Sequence, residues 1–108
     1  MSSGASYDTD IAALKDKGAS ADEAVYSLAI DDVRNACDVF SEIFEETGGR
    51  DGRVSIEVDP RISADAEATL AQARELWAQV DRPNLMIKIP ATEGSLPAIV
   101  DALSLIHI

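Results

Sequence analysis

A chain of 108 residues with 46% hydrophobic content suits one globular unit with a small core. Its formal net charge of −11 argues against nucleic acid or an anionic membrane surface as partner, because both require a basic footprint. No run approaches the ~20 apolar residues of a membrane helix, and Met1-Ser2-Ser3-Gly4 lacks the basic and apolar regions of a signal peptide. A cytoplasmic location is therefore expected. Cys37 is the only cysteine, so no internal disulfide forms and a reducing compartment fits. It falls on the apolar face of a predicted helix and reads as a packing residue. His107 is the only histidine, and a lone imidazole makes no metal site.

In chain order, Asp8 to Lys17 reads as a short helix ended by Gly18. Ser20-Ala21-Asp22-Glu23 is a capping-box pattern that opens a helical stretch to Glu46, with a break expected near Asp31. Within it Ile30, Val33, Cys37, Phe40 and Phe44 recur at three- and four-residue steps, one face of a helix. Thr47 to Gly52 is a turn-rich connection. Arg53 to Asp59 alternates, with Val54, Ile56 and Val58 on one side and Ser55, Glu57 and Asp59 on the other. Pro60 ends that strand, since proline cannot donate to a ladder.

Ser63 to Val80 returns to helical period through Ala66, Leu70, Ala73, Trp77 and Val80, with Leu76 beside them. Asp81-Arg82-Pro83-Asn84 stops it. Leu85 to Ile89 is a second strand closed by Pro90, and Ser95 to about Leu103 a further helix with Pro97 in its first turn. Strand, helix, strand, helix describes a βαβα unit with a parallel pair, and the fold class is α/β. Parallel sheets are normally covered on both faces by several units, so this chain reads as part of a larger architecture.

Two residues stand out as chemistry. Lys88 alternates away from Leu85, Ile87 and Ile89, and Glu57 away from the valine–isoleucine face of its strand. In a (β/α)₈ barrel both would point inward near the C-terminal strand ends, where such barrels place their chemistry. Neighbouring strands lie roughly 5 Å apart, so carboxylate and amine would share one pocket. In low-dielectric surroundings a lysine amine is neutral nearer pH 7 and attacks a ketone to form an iminium, with a carboxylate shuttling protons. Alternatives stay open on spacing alone: an edge-strand gatekeeper, a snorkelling side chain or a structural ion pair.

The segments themselves carry a resemblance. Arg53-Val54-Ser55-Ile56-Glu57-Val58-Asp59-Pro60-Arg61 resembles the third-strand segment of the transaldolases. Arg82-Pro83-Asn84-Leu85-Met86-Ile87-Lys88-Ile89-Pro90-Ala91-Thr92 resembles their fourth-strand segment, and Ser2 to Asp8 the stretch after their first strand. The likeness runs from about Ser2 to Leu103 and is closest to the longer, actinobacterial-type members. It implies a partial (β/α)₈ barrel of about strands three and four. It implies Lys88 as the Schiff-base nucleophile and Glu57 as acid/base with a water. Thr92 is carried over weakly as a substrate-lining hydroxyl, and Asp59 and Arg61 as structural. It further implies sugar-phosphate substrates, transfer of a dihydroxyacetone unit in the non-oxidative pentose phosphate pathway, no cofactor and no metal. No particular oligomeric state follows.

Departures accompany the likeness. The family's first strand with its aspartate lies outside the chain, as do its later phosphate-holding serine and arginines. These residues also hold no Arg/Lys cluster suited to a phosphate. Gly94 stands one place earlier than the family's usual glycine. Residues 1–103 are expected to be an incomplete barrel segment. Ser104 to Ile108 is a tail outside the family pattern that resembles translated adapter DNA, which would leave His107 without a role. Two alternatives remain: a Schiff-base aldolase of the fructose-6-phosphate type in the same superfamily, and a non-catalytic fragment that associates through uncovered apolar surfaces.

Overall fold

The computed structural model describes the backbone of residues 4–106 and the side chains of residues 4–105. Its elements are α1 (Asp8–Asp16), α2 (Ala21–Glu46), β1 (Val54–Glu57), α3 (Ala66–Val80), β2 (Leu85–Lys88) and α4 (Leu96–Ile106). Short 3₁₀ turns at Ala5–Tyr7, Pro60–Ile62 and Glu93–Ser95 connect them. Among the described residues no helix is long and apolar enough to cross a membrane. His107 lies outside the described residues, as do Ser2 and Ser3.

The capping box opens α2 as its spacing predicts. The Ser20 amide donates to Glu23 Oε2 at 2.7 Å, and the Glu23 amide donates to Ser20 Oγ at 3.2 Å. The expected break near Asp31 does not occur, and α2 runs unbroken for 26 residues. Asp31 faces solvent and takes a bond from Arg34 Nη1 one turn on, at 3.0 Å, so the aspartate is a surface pair rather than a helix stop. Ile30 and Cys37 are buried as expected and Val33 is half-buried, whereas Phe40 is exposed.

The helix α3 begins later than its periodicity suggests. Asp59 caps the Pro60–Ile62 turn by accepting from the Arg61 amide, and Asp65 then caps the helix by accepting from Ala68 N at 2.9 Å. Its buried face is Thr69, Ala73, Leu76 and Val80. Leu76 is central and Trp77 flanks it, the reverse of the expected order. Thr69 holds a fully buried position because its hydroxyl donates to the Ile62 carbonyl at 3.1 Å. At the far end Asp81 adopts a left-handed φ of 51°, and the Arg34 guanidinium from α2 donates to the Gln79 and Val80 carbonyls.

The strands β1 and β2 pair in parallel, with Val54 opposite Leu85, Ser55 opposite Met86, Ile56 opposite Ile87 and Glu57 opposite Lys88. One sheet face meets α2 and α3 in a core of Ile30, Cys37, Ile56, Val58, Ala73, Leu76, Val80 and Leu85. The helix α4 packs on α3, burying Ala98 and Ala102, and continues through Ser104 and Leu105. The connection into β1 lies against α2 at Gly52, whose φ is +73°. A Cβ there would stand 2.5 Å from Phe44 N and 2.7 Å from Phe40 O.

Candidate active site

Glu57 and Lys88 end their strands directly opposite one another, and the alternation turns both side chains away from the helix-covered face. Lys88 Nζ donates to Glu57 Oε2 at 3.2 Å. The sequence pairing is thus realised as contact. The site is open on this side: the Lys88 side chain is 66% exposed and that of Glu57 41%. An ion pair this exposed stabilises a fold by ~1 kcal/mol or less, so stability gives little reason to hold it. The same contact meets the distance requirement of an amine that works with a neighbouring carboxylate.

The backbone under the pair is tied down from several elements. The Val58 amide donates to the Lys88 carbonyl at 3.1 Å, extending the ladder past the two residues. The Tyr26 hydroxyl of α2 donates to the Glu57 carbonyl at 3.3 Å, and the Asp59 amide donates to Gln72 Oε1 of α3 at 2.6 Å. Partial burial pushes the Tyr26 phenol up, and the nearby Asp59 carboxylate adds to it. Arg61 donates to Asp59 and to Asp22 at the start of α2. Hydrogen bonds from the Arg61 side chain and then its amide hold the Asp59 carboxyl below the usual range, and the same pairing pushes the guanidinium up. Both of Arg61's near partners are carboxylates, which agrees with a bracing role for Asp59 and Arg61.

Thr92 sits elsewhere in the arrangement. Its hydroxyl donates to the Ser63 carbonyl and accepts from Ser95 N at 3.2 Å, while Thr92 N donates to Ser95 Oγ at 3.0 Å. This second capping box closes the loop after β2, with Ser95 fully buried. Gly94 abuts the Ala64 carbonyl so closely that a Cβ there would overlap it, which accounts for glycine at this place in the loop. Among the described residues Thr92 bonds neither Glu57 nor Lys88.

Asn84, Tyr26, Gln72 and Ser95 escaped sequence reasoning. Asn84 is 1% exposed; its Nδ2 donates to the Cys37 carbonyl at 2.8 Å and to the Gly52 carbonyl at 2.9 Å. Its own carbonyl accepts from Val54 N at 3.0 Å. The only local signal was a polar residue directly ahead of an apolar strand, which reads equally well as a turn. Beside it Arg82 grips Asp38 of α2 with two nitrogens, at 2.6 and 3.1 Å, and holds that carboxyl below its usual value.

A groove of about 410 Å³ between α2 and α3 is lined by Glu23, Tyr26, Ile30, Arg34, Glu75 and Gln79, and includes neither Glu57 nor Lys88. Among the described residues no three His, Cys, Asp or Glu side chains converge as a metal site needs.

Comparison with known proteins bears on the same segments. The family model described as "Transaldolase/Fructose-6-phosphate aldolase" matches residues 1–104. The chain is 53% identical over 104 residues to a protein named "Transaldolase" from Mycobacterium ulcerans (strain Agy99), covering 96% of this chain and 28% of the relative. It is 55% identical over 101 residues to "Transaldolase" of Mycolicibacterium paratuberculosis (strain ATCC BAA-968 / K-10), with coverage of 94% and 27%. It is 51% identical over 105 residues to "Transaldolase 1" of Streptomyces avermitilis, with coverage of 97% and 28%. The chain spans about 28% of the length of the curated relatives it matches.

Proposed function

Since the chain belongs to the transaldolase/fructose-6-phosphate aldolase family, we propose that it supplies the Schiff-base pair of a transaldolase active site, with Lys88 as nucleophile and Glu57 as acid/base. The observation that carries this is the register that sets Glu57 against Lys88, with Nζ and Oε2 3.2 Å apart on the face that α2 and α3 leave uncovered. In this reading β1 and β2 are the third and fourth strands of a (β/α)₈ barrel. Ser55, Glu57, Met86 and Lys88 turn toward its axis, and α2 and α3 belong to its outer ring. The barrel segment in this reading extends to about Leu103, next to the end of the family match at residue 104, and a tail follows it. The rest of the barrel would enclose the open face and supply the low-dielectric surroundings that favour a neutral amine.

The chemistry follows from the two groups. The neutral Lys88 amine attacks the C2 ketone of a ketose phosphate, and the carbinolamine loses water to give an iminium. As a base in the rest of the barrel takes the proton of the C4 hydroxyl, the C3–C4 bond breaks with its electron pair drawn toward the iminium nitrogen, and an aldose phosphate leaves with its new C=O. The remaining dihydroxyacetone enamine attacks an acceptor aldose phosphate, and water releases the product. Glu57, with a water, carries the protons that carbinolamine formation and dehydration move. The lysine is the electron sink, so the scheme calls for no cofactor or metal, and the reaction belongs to the cytoplasmic non-oxidative pentose phosphate pathway. The Thr92 hydroxyl, which holds the loop after β2, is the weaker candidate for lining the substrate.

Treatment of the full-length protein with fructose 6-phosphate and borohydride should leave a covalent adduct on Lys88, located by peptide mass mapping. Adduct formation retained in Lys88→Arg would overturn the assignment. Glu57→Gln should lower kcat by about 10²- to 10⁴-fold with the circular dichroism spectrum intact. Unchanged turnover would return Glu57 to a purely structural pair.

A second reading is favoured by the family description itself, which couples transaldolase with fructose-6-phosphate aldolase. Release of free dihydroxyacetone without an acceptor would identify an aldolase. For the 108 residues on their own, exposed Phe40, Ile43, Leu96, Val100 and Leu103 support a third reading, self-association through uncovered apolar surface. A monodisperse monomer on size-exclusion chromatography would dismiss it.

A further inference from the structure

The pair works only if β1 and β2 keep their register, and two strands of four residues each offer few ladder bonds to hold it. A slip that keeps side chains on their faces must cover two residues. At ~3.3 Å per residue, such a slip carries the Lys88 amine ~6.6 Å along from the Glu57 carboxylate. One side chain sits where that slip would begin. Asn84 immediately precedes β2, and its carbonyl takes the first rung, from Val54 N. Its amide reaches the Gly52 carbonyl on the path into β1 and the Cys37 carbonyl within α2. Both neighbours of Nδ2 are acceptors, so the amide orientation is fixed by chemistry; the flipped form would face oxygen to oxygen. At 1% exposure no water replaces these bonds cheaply.

We infer that Asn84 is a positioning residue for the reaction, fixing β1 against β2 and, through them, Glu57 against Lys88. The inference rests on the proposed roles of those two residues. Asn84 touches neither of them; it references the start of both strands to a single point on α2. The strands then carry that reference over three residues to their ends, where the reacting groups stand.

A double-mutant cycle in the full-length protein tests it. Turnover is referred to the number of lysines that borohydride traps, so loss of folded protein does not enter. Asn84→Ala should lower kcat by about 100-fold, the effect of a misplacement near 1 Å, with KM little changed. In a Glu57→Gln background the same substitution should cost less than about 3-fold, because the group it positions is already gone. Hydrogen exchange at the Val54 amide should quicken in both backgrounds. If Asn84→Ala does not yield folded protein, Asn84→Ser, which keeps one donor, is read in the same cycle with the same two expectations at smaller amplitude. Equal losses in the two backgrounds would overturn the inference and leave the roles of Glu57 and Lys88 standing. Unchanged turnover in Glu57→Gln alone would remove that assignment and the inference with it.

Discussion

The two faces of the β1–β2 ribbon are built to opposite specifications. On the helix side Ile56, Val58 and Leu85 are 6% exposed or less, and α2 and α3 press against them. On the other side Met86 is 40% exposed and the Lys88 side chain 66%. Because side chains alternate, stability and chemistry interleave residue by residue along four positions without sharing a contact surface. Neighbours in sequence should therefore fail in different assays.

The sharpest contrast pairs Lys88 with Leu85. Lys88→Ala should abolish transfer activity in the full-length protein, by more than about 10⁴-fold, while the urea midpoint stays within error. A large midpoint shift would mean that the open face also bears structural weight. Leu85→Ala should cost about 2–5 kcal/mol in urea denaturation, the toll of an unfilled site among close-packed neighbours. A loss below about 1 kcal/mol would show that the covered face collapses around the gap.

Acid sharpens the comparison from a different direction. Hydrogen bonds from Arg82 and Arg61 lower the carboxyls of Asp38 and Asp59 in the folded chain. A lowered folded value means stability that is fully present above the unfolded value near 3.9 and is lost as pH falls through the folded values. The melting temperature should drop below about pH 4, and Arg82→Gln should flatten part of that drop. An unaltered acid limb in Arg82→Gln would exclude Asp38 as a contributor. The smallest effect belongs to Met86→Gln in the 108-residue chain by itself, where this face is open, expected within about 0.5 kcal/mol. A larger loss would show that this face is covered in the protein as tested.

Much of this was legible because it repeats with a period. The alternation in Val54 to Val58 and in Leu85 to Ile89 gave both strands, and a helix between them required a parallel pair. Glu57 and Lys88 then fell on one face by counting. The segments around them also carried the family resemblance, and the family match covers residues 1–104. What escaped lacks a period. Asn84 is fixed by carbonyls 47 and 32 residues away, which no local pattern announces. The Arg34 partner of Asp31 and the Ser63 and Ser95 partners of Thr92 likewise fall outside any apolar period. On α3 the period gave Ala73, Leu76 and Val80 but missed Thr69, a polar residue whose bond to the Ile62 carbonyl lets it lie inside.

The glycines at 52 and 94 bear on how freely this sequence can drift. Each lies where one backbone abuts another, Gly52 on α2 ahead of β1 and Gly94 on Ala64 beyond β2. Gly94 has no positive φ, but an added carbon would stand 2.8 Å from the Ala64 carbonyl carbon and closer still to its oxygen, so main chain would have to give way there. Gly52 combines a φ of +73° with backbone atoms of Phe40 and Phe44 under 3 Å from any added carbon, so a second helix turn would have to move as well. Substitutions accumulating over generations would therefore find both positions closed, position 94 by contact alone and position 52 by contact and φ together.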